Sequence, residues 1–290
     1  MPRETSEIKL REIEASKISQ TVAELCQRAN FELGEDVLSA LRQALKTEPS
    51  PLGREVLSRL LENAGIAQDE RVSLCQDCGT AVVFLEIGQD VHISSGDLYQ
   101  AIADGVSQGY TQGYLRKSIV SQPFSDRINT KDNTPAVIHT EIVPGDRLKI
   151  IIMPKGGGAE NMSRLFMLKP TEGREGVINA ALRAVEEAGG NPCPPVIVGL
   201  GIGATAEKAM LLAKKALLRP VGKPSPDPEI SQLEKEILDR INDLGIGPLG
   251  FGGGTTALAV HAEITPSHLA SLPVAINLQC HSARHQEAVL

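Results

Sequence analysis

Three cysteine-centred segments hold the residues best suited to chemistry. Leu74-Cys75-Gln76-Asp77-Cys78-Gly79-Thr80 lies between a helical stretch and an apolar run, Asn191-Pro192-Cys193-Pro194-Pro195 precedes such a run, and Asn277-Leu278-Gln279-Cys280-His281 follows one. All three fall at the predicted ends of elements, where loops gather ligands. A cysteine that merely fills a core sits more often in mid-element on an apolar face, and the prolines around Cys193 do not suit that setting. The three segments are far apart in the chain, which disfavours a small structural zinc module with its closely spaced ligands. Cys75 and Cys78 also form a Cys-x-x-Cys, which fits a redox pair, half a zinc site or two thiols beside a cluster. Three thiolates around a 4Fe–4S cluster leave one iron without a protein ligand. Four-cysteine clusters suit electron transfer, whereas an open iron can act as a Lewis acid on a substrate hydroxyl. A base elsewhere must then take a proton from the neighbouring carbon.

Glycine clusters supply a second line of evidence. Lys155-Gly156-Gly157-Gly158-Ala159-Glu160-Asn161 follows a predicted strand, and Gly250-Phe251-Gly252-Gly253-Gly254 precedes one. Glycine lets backbone N–H groups approach an anion or a cluster closely. A tight turn explains an isolated pair, but two clusters together with Gly199 to Gly203 point to function. Neither the phosphate-binding loop pattern nor the dinucleotide fingerprint is matched. Cations for a carboxylate ligand are available at Arg116, Lys117, Lys155, Arg164 and Arg284, and arginine offers two parallel donors to a carboxylate. His139 with Glu141 and His261 with Glu263 each share a predicted strand face, which fits a buried hydrogen-bonded pair or a proton relay.

These residues need elements to position them. Apolar spacing predicts helices over Thr21 to Ala29, Glu35 to Leu45 and Leu52 to Ala64. Thr80 to Ile87 reads as a buried strand, and Ser95 to Gln108 as a helix that starts near Ser94 or Ser95. Ala136 to Val143 and Arg147 to Met153 read as strands joined by the turn tripeptide Pro144-Gly145-Asp146. Helices follow at Glu172 to Ala188, Thr205 to Leu218 and Asp227 to Leu244. Strands follow at Val196 to Gly199, Leu258 to Ile264 and Pro273 to Leu278. Pro220 to Pro228 holds four prolines and is the best candidate for an exposed loop or hinge. The fold expected is mixed α and β: an N-terminal helical layer over 1–70, then an α/β region with a mixed sheet over 71–290, the whole being one domain of 290 residues.

Composition limits the function classes. At 290 residues and 41% hydrophobic the chain can build a real core, and with 3% aromatics and no Trp that core must consist of aliphatic side chains. The net charge of −7 argues against nucleic acid as a partner. No apolar run reaches the length of a membrane span. Met1 to Leu10 is charged and lacks an apolar signal core, so a cytoplasmic location is expected. Five cysteines are too few and too scattered for a secreted disulfide scaffold.

Taken together, the motifs resemble one family: the alpha subunit, or N-terminal domain, of class I fumarate hydratases and L-tartrate dehydratases. The resemblance covers most of residues 20–285. It is carried by Cys75-Gln-Asp-Cys-Gly79, Leu115-Arg-Lys-Ser118, Asn129-Thr-Lys-Asp-Asn-Thr-Pro135, Lys155-Gly-Gly-Gly-Ala-Glu-Asn161, Cys193-Pro-Pro195 with Gly201-Ile-Gly203, Gly250-Phe-Gly-Gly-Gly254 and Gln279-Cys280. It implies an oxygen-sensitive 4Fe–4S cluster on Cys75, Cys193 and Cys280. It also implies that Gln76, Asp77, Arg116 and the Gly157–Gly158 backbone place a small dicarboxylate beside the open iron, with Gln76 and Asp77 as catalytic residues. The reaction implied first is reversible hydration of fumarate to (S)-malate; the alternative is dehydration of L-tartrate to oxaloacetate or of another hydroxydiacid. A non-catalytic iron–sulfur or zinc redox protein is the reading that Cys78 favours. The family usually has Thr where this chain has Cys78, and Cys78 is not assigned as a ligand. The chain stops soon after Cys280, whereas single-chain members continue into a further domain that carries the proton-transfer threonine. The resemblance therefore implies a separate beta subunit that supplies the remaining catalytic residues, inactivity of this chain alone, and a higher oligomer of alpha–beta pairs.

Overall fold

The computed structural model describes residues 10–290; apart from Leu10, the charged N-terminal stretch read above lies outside them. The elements in chain order are β1 (Arg11–Glu14), α1 (Ala15–Phe31), α2 (Glu35–Thr47), α3 (Pro51–Glu70), β2 (Thr80–Gly88), β3 (Val91–Ser94), α4 (Leu98–Gln112), β4 (Val137–Val143) and β5 (Leu148–Lys155). They continue with α5 (Gly157–Glu160), β6 (Arg164–Leu168), α6 (Gly173–Ala188), β7 (Val196–Ala204), α7 (Ala206–Ala216), α8 (Pro228–Asn242), β8 (Ala257–Ser267), β9 (Leu272–Gln279) and β10 (Gln286–Val289). A helical N-terminal region thus precedes a mixed α/β region, as expected. Among the described residues no helix is long and apolar enough to cross a membrane.

Two compact units divide the chain, and they interleave in sequence. The first holds the residues through Glu32, Arg71–Lys155 and Arg284–Leu290; the second holds Leu33–Glu70 and Gly156–Ala283. None of the four boundaries falls in the proline-rich loop at 220–228, where Ser225 is buried and its N–H is bonded to Glu234 Oε2.

In the first unit a four-stranded sheet runs β10-β5-β2-β4, and β1 pairs with β3. β2 is parallel to β4 and antiparallel to β5. The strands flanking Pro144-Gly145-Asp146 are therefore not paired with each other, because β2 lies between them. Helices α1 and α4 pack on this sheet around Ile18, Val22, Ile102, Val106, Ile150 and Ile152. The helices pack closely because α4 presents glycine at the crossing: a Cβ on Gly109 would lie 2.7 Å from the Ala23 carbonyl and 2.9 Å from Cys26 Cβ. Helix α4 starts after Asp97, whose side chain accepts the Gln100 N–H. Sequence alone puts that start at Ser94 or Ser95, but Ser95 has φ +60° and Asp97 is the better cap.

The second unit has a sheet ordered β6-β9-β7-β8, with β7 and β8 parallel and the other pairs antiparallel. Its core is aliphatic, centred on Ile178, Ala181, Val198, Leu200, Ile237 and Ile276. Strand β7 runs past its expected end at Gly199, so Gly201 as well as Gly199 is a strand residue and not part of a ligand loop. A Cβ on either would meet helix α7, 2.1 Å from the Ala213 carbonyl or 2.0 Å from the Ala209 carbonyl. These two glycines serve close helix–strand packing.

Candidate functional site

The loop from Cys75 to Gly79 sits in the first unit just before β2. Gly79 ends it with φ +73°, and a Cβ there would lie 2.7 Å from the backbone carbonyl of Lys155 at the end of β5. Only glycine meets both demands without strain. Each of three successive loop carbonyls is held by a side chain from a different segment. Arg284 Nη2 donates to the Asp77 carbonyl at 2.5 Å. The Tyr110 hydroxyl of α4 donates to the Cys78 carbonyl at 2.8 Å and reaches that of Gly79 at 3.1 Å, and Asn133 Nδ2 donates to the Gly79 carbonyl at 3.1 Å. Burial raises the Tyr110 phenol well above its ordinary pKa, reinforced by Cys26 and Cys78 and opposed by Arg284, so it stays a donor at all physiological pH.

With its carbonyls tied down, the loop presents Cys75, Gln76 and Asp77. The Asp77 N–H points to Cys75 Sγ at 3.4 Å. The Asp77 carboxylate accepts the Gly79 N–H at 3.0 Å and the Ser118 hydroxyl at 3.4 Å. Cys78 points the other way, is 1% exposed, and takes the Arg116 backbone N–H on its sulfur at 3.2 Å. Ser118 N–H donates to Asn133 Oδ1 at 2.7 Å, and Asn129 Nδ2 to the Lys117 carbonyl at 2.9 Å. Three motifs separated in sequence, 75–79, 115–118 and 129–135, thus form one hydrogen-bonded group, with the Arg116 side chain exposed at its edge.

A second group lies in the other unit. Cys193 is exposed, with φ +56°, a backbone conformation that costs a non-glycine residue free energy and tends to persist at functional loops. Its carbonyl accepts the His281 N–H at 3.3 Å and bonds His281 Nδ1 at 2.9 Å, which seats Cys280 beside it. Gly158 approaches the same loop, since a Cβ there would lie 3.0 Å from the Asn191 carbonyl. Glu160 pairs with Lys214 at 2.5 Å, and Asn277 Nδ2 donates to Ser163 Oγ at 2.9 Å.

Not every sequence candidate belongs to these groups. The glycine cluster 250–254 is already occupied by a carboxylate of the same unit. Glu48, 2% exposed, accepts the N–H groups of Ser50, Gly254 and Thr255 at 3.0, 2.9 and 2.9 Å. Burial pushes its pKa up, but these bonds and the Thr255 hydroxyl outweigh that, and the net value is lowered. Its stabilising effect is complete above the ordinary carboxylate pKa of about 4.3 and is lost as pH falls through the lower folded value. Glu48→Gln is expected to cost about 1.5–3 kcal/mol at neutral pH, the range for a charge-assisted bond, and to flatten the acid loss of stability; urea unfolding from pH 7 to pH 3 measures both. Arg164 is tied to Glu187 at 3.4 Å. His139 stacks on Phe84 at 5.2 Å, and His261 is 2% exposed beside the Arg219–Glu234 pair. Glu48 and Tyr110 escape a reading of the sequence, since a helix-end glutamate and a tyrosine on an apolar helix face carry no distinguishing local signal.

The cysteine chemistry fits an iron–sulfur ligand set. All five cysteines lie among the described residues and none is disulfide-bonded. Cys26 is fully buried and burial pushes its pKa up to about 12, as for a core filler, and Cys78 is buried under its own loop. Cys75, Cys193 and Cys280 are the partly or fully exposed ones. Among the described residues no three His, Cys, Asp or Glu side chains gather as a single-ion site would require; in a cluster each thiolate bonds a different iron.

Comparison with known proteins agrees with the motifs. Residues 19–289 match the family model described as fumarate hydratase (Fumerase). A Methanocaldococcus jannaschii protein, provisionally named L(+)-tartrate dehydratase subunit alpha, is 44% identical over 272 residues, which is 92% of this chain and 95% of its own length. The L(+)-tartrate dehydratase subunit alpha of Escherichia coli strain K12 is 31% identical over 273 residues, covering 93% of this chain and 89% of its own.

Proposed function

Because the chain belongs to the class I iron–sulfur fumarate hydratase and L-tartrate dehydratase alpha-subunit family, we propose that it is the alpha subunit of a hydro-lyase that dehydrates L(+)-tartrate to oxaloacetate. The sequence motifs alone put fumarate hydration first; the named relatives favour the alternative. The observation that carries the reading is that relatives at 44% and 31% identity, each matched over more than nine-tenths of this chain, both bear the tartrate dehydratase alpha-subunit name.

Cys75, Cys193 and Cys280 would hold a 4Fe–4S cluster, which would supply Lewis acidity at the substrate hydroxyl. The chain's own residues bind and orient the diacid. Arg116 takes one carboxylate through its paired N–H donors, and the Gln76 amide, exposed beside Cys75, adds a neutral hydrogen bond. The Gly157–Gly158 backbone gives close access for the other end of the substrate. Asp77, aimed by Gly79 and Ser118, takes or gives the proton of the departing hydroxyl. Removal of that hydroxyl as water and of the C–H proton next to it leaves an enol, which tautomerises to oxaloacetate. The base for the C–H proton belongs to a separate beta subunit, in line with the subunit alpha names of the relatives.

Anaerobic reconstitution with a beta-type subunit tests this, with L(+)-tartrate, D(−)-tartrate, fumarate and (S)-malate as substrates. Oxaloacetate from L(+)-tartrate at the highest kcat/KM is expected, with no turnover by the alpha chain alone; faster interconversion of fumarate and malate would restore the fumarate reading. In the assembled enzyme, Arg116→Met is expected to raise KM roughly 10- to 150-fold, the equivalent of about 1.5–3 kcal/mol, with the visible cluster absorption intact. An unchanged KM removes Arg116 from the site.

A further inference from the structure

Arg284 is the most unusual charged residue of the first unit. It is 3% exposed, and its one hydrogen bond among the described residues goes to a neutral group, the Asp77 carbonyl. Its Nε and Nη1 are buried and have no hydrogen-bond partner among the described residues. Arg219, a half-buried arginine of the second unit, shows the usual solution. It pairs with Glu234 at 2.5 Å and Glu263 at 3.0 Å and donates to the Ala262 carbonyl. Burying a guanidinium without a carboxylate is costly, so a residue of this kind persists where its charge has another use. The strand pairing of β10 with β5 holds the segment that carries Arg284 in the first unit. From there its guanidinium reaches the middle of the Cys75–Gly79 loop, whose outward groups are a thiol, an amide and a carboxylate.

We propose that Arg284 is a positioning residue of this site: its buried guanidinium fixes the Asp77 carbonyl, and with it the outward face of Cys75, Gln76 and Asp77, and supplies the positive charge against which anionic sulfur and carboxylate groups gather on that loop. The counter-charge half rests on the cluster reading above; the positioning half rests on the loop geometry alone. Tyr110 and Asn133 hold the next two carbonyls but are neutral, so among the side chains that hold the loop's carbonyls only Arg284 adds charge.

The test compares the full-length wild-type chain with Arg284→Gln and Arg284→Lys. Amide exchange in the apo chain is expected to rise at least tenfold in the peptide spanning residues 74–79 for both variants, because neither carries the guanidinium Nη2 that donates to the Asp77 carbonyl, while a reference peptide from α6 stays unchanged. In the reconstituted chain the cluster's reduction potential is expected to fall in Arg284→Gln, because lost positive charge disfavours the added electron, and to stay near wild type in Arg284→Lys. Wild-type exchange together with a wild-type potential in Arg284→Gln overturns the proposal. If the Gln variant does not fold, loop exchange in the Lys variant decides: a rise supports the positioning role and a wild-type rate overturns it. If the wild-type chain takes up no cluster, the functional reading fails, and exchange in the apo chain still decides the positioning role of Arg284.

Discussion

Cys193→Ser, produced and reconstituted without oxygen, is expected to lose essentially all visible iron–sulfur absorption and all turnover, while Cys78→Ser keeps both. The two thiols have opposite settings. Cys193 is exposed on a loop with a left-handed backbone, beside Cys280 through the His281 bonds to its carbonyl. Cys78 is buried and engaged by the Arg116 N–H. Serine oxygen is a poor substitute for thiolate on iron, since soft sulfur is what selects such clusters, but it can accept the Arg116 N–H in place of sulfur. Iron and sulfide content and the absorption spectrum measure the outcome. If Cys78→Ser loses iron and Cys193→Ser retains it, the ligand set is wrong and the redox-sensor reading gains.

Asp77→Asn is expected to lower kcat by about 10²- to 10⁴-fold, the usual contribution of a positioned general acid or base, with cluster content near wild type. The substitution is close to isosteric. An Asn oxygen can still accept the Gly79 N–H and the Ser118 hydroxyl now bonded to Oδ1, and the Asp77 backbone carbonyl keeps its bond to Arg284. What disappears is the capacity to hold a proton on the carboxylate. Steady-state kinetics with the reconstituted alpha–beta enzyme, read beside its iron content, separate the two roles. Equal losses of iron and kcat would make Asp77 a support of the loop and not a participant.

Much of the local structure was legible because it depends on neighbours in sequence. The apolar stripe Val37, Leu38, Leu41 and Leu45 marks α2 at the expected place, where Val37, Leu41 and Ala44 are the buried residues, and Asp227 followed by Pro228 starts α8 as cap and first-turn residue should. Other elements were not legible. The strands β1, β3 and β10 have four residues each, too few to show a period, and are defined by partners far away in the chain. Glycine was ambiguous for the same reason. Gly79 needs its backbone conformation, Gly201 makes room for a helix, and Gly254 donates to Glu48, yet all three look alike in a string of letters.

The sequence by itself determined the chemistry available to this protein: which thiols, carboxylates and arginines it has, and the motif order that marks the family. Those follow from residue identity and need no coordinates. Only the tertiary structure decided which groups are consumed internally and which are presented. Glu48 fills one glycine cluster, Cys78 and Cys26 are buried, and Arg284 is brought beneath a loop some two hundred positions earlier in the chain, through the bond it donates to the Asp77 carbonyl. The reason is that burial and hydrogen-bond satisfaction are properties of the packed chain, and long-range pairing, which sequence spacing does not encode, sets both.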